Sequence, residues 1–179
     1  MSANEPSFSL RIVKGLIGGR TASDMPGLDI AEQKSWQNYL TAALRMYAEL
    51  NVRMLEKHEL SLDDVRLLHI LSNSANGTAR MRDLAEAMPA PASRLSRQVR
   101  RLEGQGLVRR TASPDDRRGV IATITDKGRA MAEETTASYA REVRKNFIDR
   151  LSRSQIVAME SSCRQITTAL KQRGLLADS

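Results

Sequence analysis

The segment PASRLSRQVRRLE, Pro91–Glu103, holds four arginines and two serines in thirteen residues. If it is helical, Leu95, Val99 and Leu102 form one apolar stripe at i, i+4, i+7. Ser93, Arg94, Ser96, Arg97, Arg100 and Arg101 are then left on the exposed sides. Guanidinium groups in such an array can make bidentate hydrogen bonds to guanine, and serines reach bases or phosphates. Arg100 and Arg101 have a plainer use as well, because cations late in a helix complement its dipole. That use does not cover Arg94 and Arg97, which lie earlier. Further along, SPDDRRG sets Asp115, Asp116, Arg117 and Arg118 side by side in a polar loop, and the β-branched run GVIATIT follows it.

Other chemistry has little to build on. His58 and His69 are the only histidines and Cys163 the only thiol. They show no nucleophile–base spacing, and no phosphate-binding glycine loop is present; Gly15, Gly18 and Gly19 neither follow a strand nor match a nucleotide fingerprint. No clustered ligand pair suggests a metal, so neither catalytic residues, cofactor nor metal are expected. Cys163 shares an apolar stripe with Ile156, Met159 and Ile166. That placement favours a buried structural thiol over an oxidation sensor, which needs exposure and a lowered pKa. A single cysteine excludes an internal disulfide and fits a reducing cytoplasm.

The charge is unevenly placed. The 179 residues carry a net charge of +7, with 28 basic and 21 acidic side chains. Arg80–Arg129 alone contains 12 basic and 6 acidic residues, whereas the flanking parts are near neutral. A basic centre between neutral flanks is the footprint of a polyanionic partner. That centre has no aromatic residue to stack on unpaired bases, which favours duplex DNA over RNA. Apolar residues make up 41% of the chain, enough for a core. No apolar run approaches the ~18 residues of a membrane span, and no signal-peptide pattern opens the chain.

Elements to position these residues can be read from periodicity. Met1–Gly27 mixes Gly and Pro and reads as an arm, mobile or docked elsewhere, with one short helix around Leu10–Ile17. Ile30–Leu55 repeats apolar residues at three- and four-residue steps through Trp36, Leu40, Ala43, Leu44, Tyr47, Leu50 and Met54, which predicts a long helix. Ser61 and Asp64 form a capping box for a second helix. Asn76-Gly77 breaks the chain. A short extended stretch near Arg80 and Met81 precedes a short helix, in which Leu84, Ala85 and Met88 face inward. The prolines of MPAPA end that helix, and Pro91 opens the arginine-rich one in its first turn. Gly104 and Gly106 stop that helix. LVRRT and GVIATIT are strands around the charged loop. Thr125 and Asp126 cap a helix running to about Leu151, with Tyr139, Val143 and Phe147 as its stripe. Ser152 and Gln155 cap the last helix, whose face carries Ile156, Met159, Cys163, Ile166 and Leu170. A short helix, a tight turn, a second helix and a hairpin make a winged helix-turn-helix, whose second helix enters the major groove.

MRDLAEAM…SRLSRQVRRLEGQGLVRRTASPDDRRGVIATITDKG resembles the winged-helix core of the multiple antibiotic resistance regulator (MarR) family. The matching features are Leu84–Ala85, Ser93, Arg97, Leu102–Glu103, GLVRR from Gly106, DDRRG from Asp115 and ITDKG ending at Gly128. Ala90 and Pro91 depart from the polar residue often found before that helix. The resemblance implies a mainly α fold: a winged helix-turn-helix with long N- and C-terminal dimerisation helices and a small two- or three-stranded wing sheet. The expected organisation is an arm at 1–28, dimerisation helices at 29–60 and 152–173, a DNA-binding lobe at 61–128 and a connecting helix at 126–151. It further implies a cytoplasmic homodimeric regulator, a repressor with activation left open, on a pseudo-palindromic operator with half-sites ~10 bp apart. Arg118, with Arg117, would touch the minor groove or phosphates while Asp116 braces the wing. A small aromatic or phenolic effector would sit near Trp36, with Tyr39, Met46 and His69 as further candidates. The alternative is a ligand-independent or architectural DNA-binding protein.

Overall fold

The structure, a computed structural model, describes residues 25–88, 90–113 and 119–177. The expected arm and its short helix lie outside the described residues except for Met25–Leu28. So do Asp115, Asp116, Arg117 and Arg118, which the sequence assigns to the charged loop. The chain divides into two compact units, Met1–Glu49 and Leu50–Ser179.

Helix α1 (Ile30–His58) starts in the first unit. Asp29 caps it: its Oδ1 accepts the Ala31 and Glu32 amides at 2.7 and 2.9 Å, and Glu32 Oε2 accepts the Asp29 amide at 2.9 Å. Ile30, Trp36, Tyr39, Leu44 and Tyr47 on this part of α1 are exposed.

The second unit holds the core. At the end of α1, Glu59 adopts a left-handed conformation and its amide donates to the Leu55 carbonyl. The Ser61–Asp64 capping box then opens α2 (Leu62–Ser72), as the sequence predicts. The Leu62 amide, one of the free donors of that helix end, is taken by Asn51 Oδ1 at 2.9 Å. β1 (Thr78–Arg80), α3 (Met81–Ala87), α4 (Ala92–Gly104), β2 (Val108–Ala112), β3 (Val120–Ile124), α5 (Asp126–Asn146) and α6 (Arg153–Ala177) follow. The sheet has three strands in the order β1-β3-β2, both pairings antiparallel, with Val108 opposite Ile124 and Ala112 opposite Val120. Leu67, Leu68 and Leu71 of α2, Leu84 of α3, Leu95, Val99 and Leu102 of α4, and Val108, Ala122 and Ile124 of the sheet close one apolar core.

The end of α4 sets where the wing starts. Gly106 takes φ +74 and donates to the Glu103 carbonyl at 2.9 Å, while Leu107 donates to Leu102 at 3.0 Å. This is a Schellman motif, with Leu107 and Leu102 both buried as its apolar contact. The wing is then tied to α5. The Thr125 hydroxyl donates to the Gly106 carbonyl at 2.8 Å and accepts the Gly128 amide at 3.0 Å. Gly128 is buried so closely that a Cβ there would drive into the Leu107 carbonyl and lie 2.8 Å from Ile124 Cγ1.

Two expectations about α5 need correction. Its buried face is Gly128, Ala132, Thr135 and Ser138, not Tyr139, Val143 and Phe147; Tyr139 is exposed. Small residues let α5 lie close against α2, and the buried Thr135 hydroxyl is satisfied by the Met131 carbonyl at 2.7 Å. The helix also stops at Asn146 rather than near Leu151. Asn146 turns its side-chain amide onto the Glu142 carbonyl and carboxylate, and a 3₁₀ turn, Ile148–Arg150, follows. Cys163 is half-buried in this chain rather than enclosed, and Val157, Ile166 and Leu170 beside it on α6 are exposed. Among the described residues, no helix is long and apolar enough to cross a membrane.

The Gly128 contact makes a quantitative expectation. Gly128→Ala should destabilise the chain by about 2 kcal/mol, since the neighbour that must move is backbone. Urea unfolding followed by circular dichroism measures it, and a loss below about 0.5 kcal/mol would show that the α5–wing junction gives way freely.

Candidate nucleic-acid interface

Helix α4 is amphipathic in the expected sense. Leu95, Val99 and Leu102 are buried; Ser93, Arg94, Arg97, Arg100 and Arg101 are exposed and Ser96 is half-buried. Its N-cap residue is Pro91, and no side chain caps it; the Arg94 and Leu95 amides donate to the Pro91 carbonyl. The helix begins at Ala92, directly after the proline that the sequence places at its entry. The unusual Ala90-Pro91 entry leaves the first-turn donors to be met elsewhere, and α4 is held in place by other means.

Those means are acidic residues of α2. Asp64 is fully buried. Its Oδ2 accepts the Ser61 amide at 2.9 Å and the Ser61 hydroxyl at 2.6 Å. Its Oδ1 accepts the Gln98 side-chain amide at 3.0 Å and pairs with the Arg101 guanidinium. One carboxylate thus caps α2 and fastens the middle of α4. Nearer the start of α4, Arg94 Nη2 lies 3.1 Å from Asp63 Oδ2. That pair is exposed enough to contribute only a fraction of a kcal/mol, on the order of 0.5. Arg97 and Arg100 have no hydrogen-bond or ion-pair partner among the described residues. The sequence reading set Arg100 and Arg101, late in the helix, apart from Arg94 and Arg97. The structure separates two that are tethered from two that are free.

The wing is attached by the same device. Glu103, in the last turn of α4, accepts the Arg110 amide through Oε1 at 3.0 Å and the Arg110 side chain through Oε2 at 2.7 Å. The Arg110 hydrogen bonds hold the Glu103 carboxyl below its usual range. The Ser113 amide donates to the Gly119 carbonyl at 2.8 Å and closes the hairpin below its tip. Asp116, Arg117 and Arg118, proposed for the tip, lie outside the described residues.

The effector candidates fall in both units. Trp36, Tyr39 and Met46 stand on α1 in the first unit, with the Trp36 and Tyr39 rings 6.0 Å apart. His69 is on α2 in the second unit, exposed, with its Nδ1 3.5 Å from the Thr136 hydroxyl and its ring against the Asn73 side chain. His58 is buried with Nδ1 3.5 Å from Glu134 Oε1. Among the described residues no three His, Cys, Asp or Glu side chains gather as a metal site requires.

A profile described as the MarR family matches residues 58–119. Among solved structures, AbsC, a MarR family transcriptional regulator from Streptomyces coelicolor, is 30% identical with a TM-score of 0.77, over 83% of this chain and 99% of that one. Sco3205, a MarR family transcriptional regulator from the same organism solved in complex with DNA, is 32% identical with a TM-score of 0.78, over 83% and 93%. The chain belongs to the MarR family. The HTH-type transcriptional regulator YfiV of Bacillus subtilis (strain 168), itself uncharacterized, is 34% identical over 73 residues; that match spans 41% of this chain and 44% of that relative. The fold and family are those of transcriptional regulators and not of enzymes. The MarR-type helix-turn-helix in this chain is α3 and α4, and its wing is the β2–β3 hairpin.

Two measurements check the ties. Asp64→Ala removes a cap and leaves the buried Gln98 amide unpaired, so it should cost about 3 kcal/mol in urea unfolding. A cost under about 1 kcal/mol would mean that the apolar core alone fixes α4. For Glu103 the folded carboxyl titrates below its unfolded value, so its stabilisation is present above the ordinary Glu range and disappears as pH falls through the folded value. Wild type should therefore exceed Glu103→Gln in stability at neutral pH, and the gap should close as pH falls below the ordinary glutamate range. A gap independent of pH would dissociate the Arg110 contact from the charge of Glu103.

Proposed function

We propose that this MarR family member is a homodimeric repressor that binds a pseudo-palindromic operator in duplex DNA and is released or engaged by a small aromatic or phenolic effector. The single observation that carries the DNA reading is the division of arginines on α4. Arg97 and Arg100 are exposed and unpaired among the described residues, on a helix whose orientation is fixed by Asp64. An unpaired guanidinium on a clamped helix can enter the major groove without first breaking an ion pair, which is what bidentate guanine recognition requires. Ser93 and Ser96 flank them and reach bases or phosphates. Arg94 and Arg101 hold the helix and contribute field more than readout. That Sco3205, 32% identical, was solved in complex with DNA supports the same assignment. Arg118, with Arg117, extends the contact from the wing tip into the minor groove or phosphates, braced by Asp116.

The terminal helices support a dimer. Val157, Ile166 and Leu170 are exposed on one part of α6, and Ile30, Trp36, Tyr39, Leu44 and Tyr47 on the first part of α1. Large apolar groups in such density normally find a partner, and a second copy of the same chain gives the two-fold symmetry that a palindromic operator matches. The paired Trp36 and Tyr39 rings offer an aromatic face for the effector, which would shift the population between DNA-competent and incompetent arrangements.

The direct test is footprinting on DNA flanking this protein's coding region, followed by fluorescence anisotropy on the protected sequence. Arg97→Ala should weaken specific binding roughly ten- to hundredfold and leave the dimer intact by sedimentation. Arg94→Ala should retain most of the sequence preference. Unchanged preference in Arg97→Ala, with a folded dimer, removes α4 as the reading helix.

A further inference from the structure

An open cleft of about 280 Å³ is lined by Asp63 and Asp64 of α2 and by Arg94, Arg97 and Arg101 of α4. The three arginines stand in three different situations. Arg101 pairs with Asp64, whose carboxylate is wholly buried. Arg97 has no partner among the described residues. Arg94 Nη2 lies 3.1 Å from Asp63 Oδ2. Asp63 is not sealed in as Asp64 is: 25% of its side chain is exposed, and 64% of the Arg94 side chain. Asp63 has a further interaction besides this pair, so it is not a carboxylate waiting for a cation. It shares its cleft with Arg97, on the surface where a DNA phosphate would arrive. An acid there repels phosphate and lowers affinity. What it can raise is selectivity.

We infer that Asp63 is a specificity-determining residue for duplex DNA, which withholds Arg94 from the phosphate backbone while steadying the start of α4. The inference rests on α4 being the reading helix.

Binding to DNA of arbitrary sequence is a sum of phosphate contacts. A guanidinium that is already paired joins that sum only by exchanging its carboxylate for a phosphate. The carboxylate is then left beside a second anion. Arg94 therefore adds little to the sequence-independent complex while Asp63 is present. Recognition of one sequence draws instead on Arg97, which Asp63 does not hold, and on the angle at which α4 enters the groove. The Arg94–Asp63 pair supports that angle, because it ties down the first turn of a helix that lacks a side-chain cap. One contact thus weakens the unwanted complex and steadies the wanted one, and selectivity is the ratio of the two.

Fluorescence anisotropy on the full chain tests it, with the footprinted fragment and a scrambled duplex of the same length and composition, each over a series of salt concentrations. Asp63→Asn should bind the scrambled duplex about three- to tenfold more tightly at low salt, and its log K should fall with log salt more steeply by about 0.9, one phosphate's share. Affinity for the footprinted fragment should rise less, so that the ratio of the two falls at least about threefold. Adding Arg94→Ala to Asp63→Asn should abolish the gain, and Asp63→Glu should keep the wild-type ratio. Arg94→Ala alone should leave the slope on the scrambled duplex unchanged, since that cation is already withheld; this arm needs no change at Asp63. The scrambled-duplex slopes do not depend on which element reads bases, so they separate a failure here from a failure of the α4 reading, which Arg97→Ala reports. An unchanged slope in Asp63→Asn, a gain that survives Arg94→Ala, a shallower slope in Arg94→Ala alone, or an undiminished ratio would each overturn the assignment.

Discussion

The buried carboxylate of Asp64 is the constraint on which the winged lobe turns. A carboxylate without solvent is costly unless its lone pairs are all met. Here four donors meet them: the amide and hydroxyl of Ser61, the Gln98 amide and the Arg101 guanidinium. Two of those donors belong to the start of α2 and two to the middle of α4, so satisfying the charge requires both helices in one mutual position. Apolar packing of Leu67, Leu68, Leu95 and Val99 excludes water from their contact, but it tolerates small slides and rotations. The ionic hydrogen bonds do not, because their geometry fails over a few tenths of an ångström. This matters most in α4, whose first turn at Ala90-Pro91 lacks any side-chain cap.

The same logic sorts the basic residues of the central segment. Asp63, Asp64 and Glu103 take Arg94, Arg101 and Arg110. Arg97, Arg100 and Arg109 are left unpaired among the described residues and exposed. The positive surplus of Arg80–Arg129 is thus not a diffuse coating. Asp63, Asp64 and Glu103 tie α2, α4 and β2 together, and Arg97 and Arg100 on α4 and Arg109 on β2 stay exposed without such a tie among the described residues. A polyanion meets a surface whose internal pairs need not be broken on contact, which lowers the cost of association.

What was legible in the sequence follows the range of each interaction. The capping boxes at Ser61–Asp64 and Ser152–Gln155, the Thr125 cap and the apolar stripe of α4 are local, and all are present. The wing strands were legible from their β-branched runs, and the short extended stretch near Arg80 became the third strand. The pairing of Arg94 and Arg101 with acids more than thirty residues away was not legible, because spacing along the chain carries no signal for it. Nor was the buried Gln98, which sits among arginines and reads as surface. The stripe on α5 was misread for a different reason. Large apolar residues mark a helix face that needs covering, whereas Gly128, Ala132, Thr135 and Ser138 mark one that approaches closely. The periodicity is the same, but the residue sizes conceal it.

The ties inside the lobe also bear on how α4 can move. Helix α4 is held at Arg94 by Asp63, at Gln98 and Arg101 by Asp64, and at its end by the Schellman turn and Glu103. The wing it leads into is joined in turn to α5 through Thr125 and Gly128. Re-aiming α4 alone would break several buried hydrogen bonds at once, each worth about 1 kcal/mol or more when a partner is left unsatisfied. A displacement that carries α2, α4, the wing and the start of α5 together breaks none of them. Moving α4 in this protein therefore means moving that whole set of elements together.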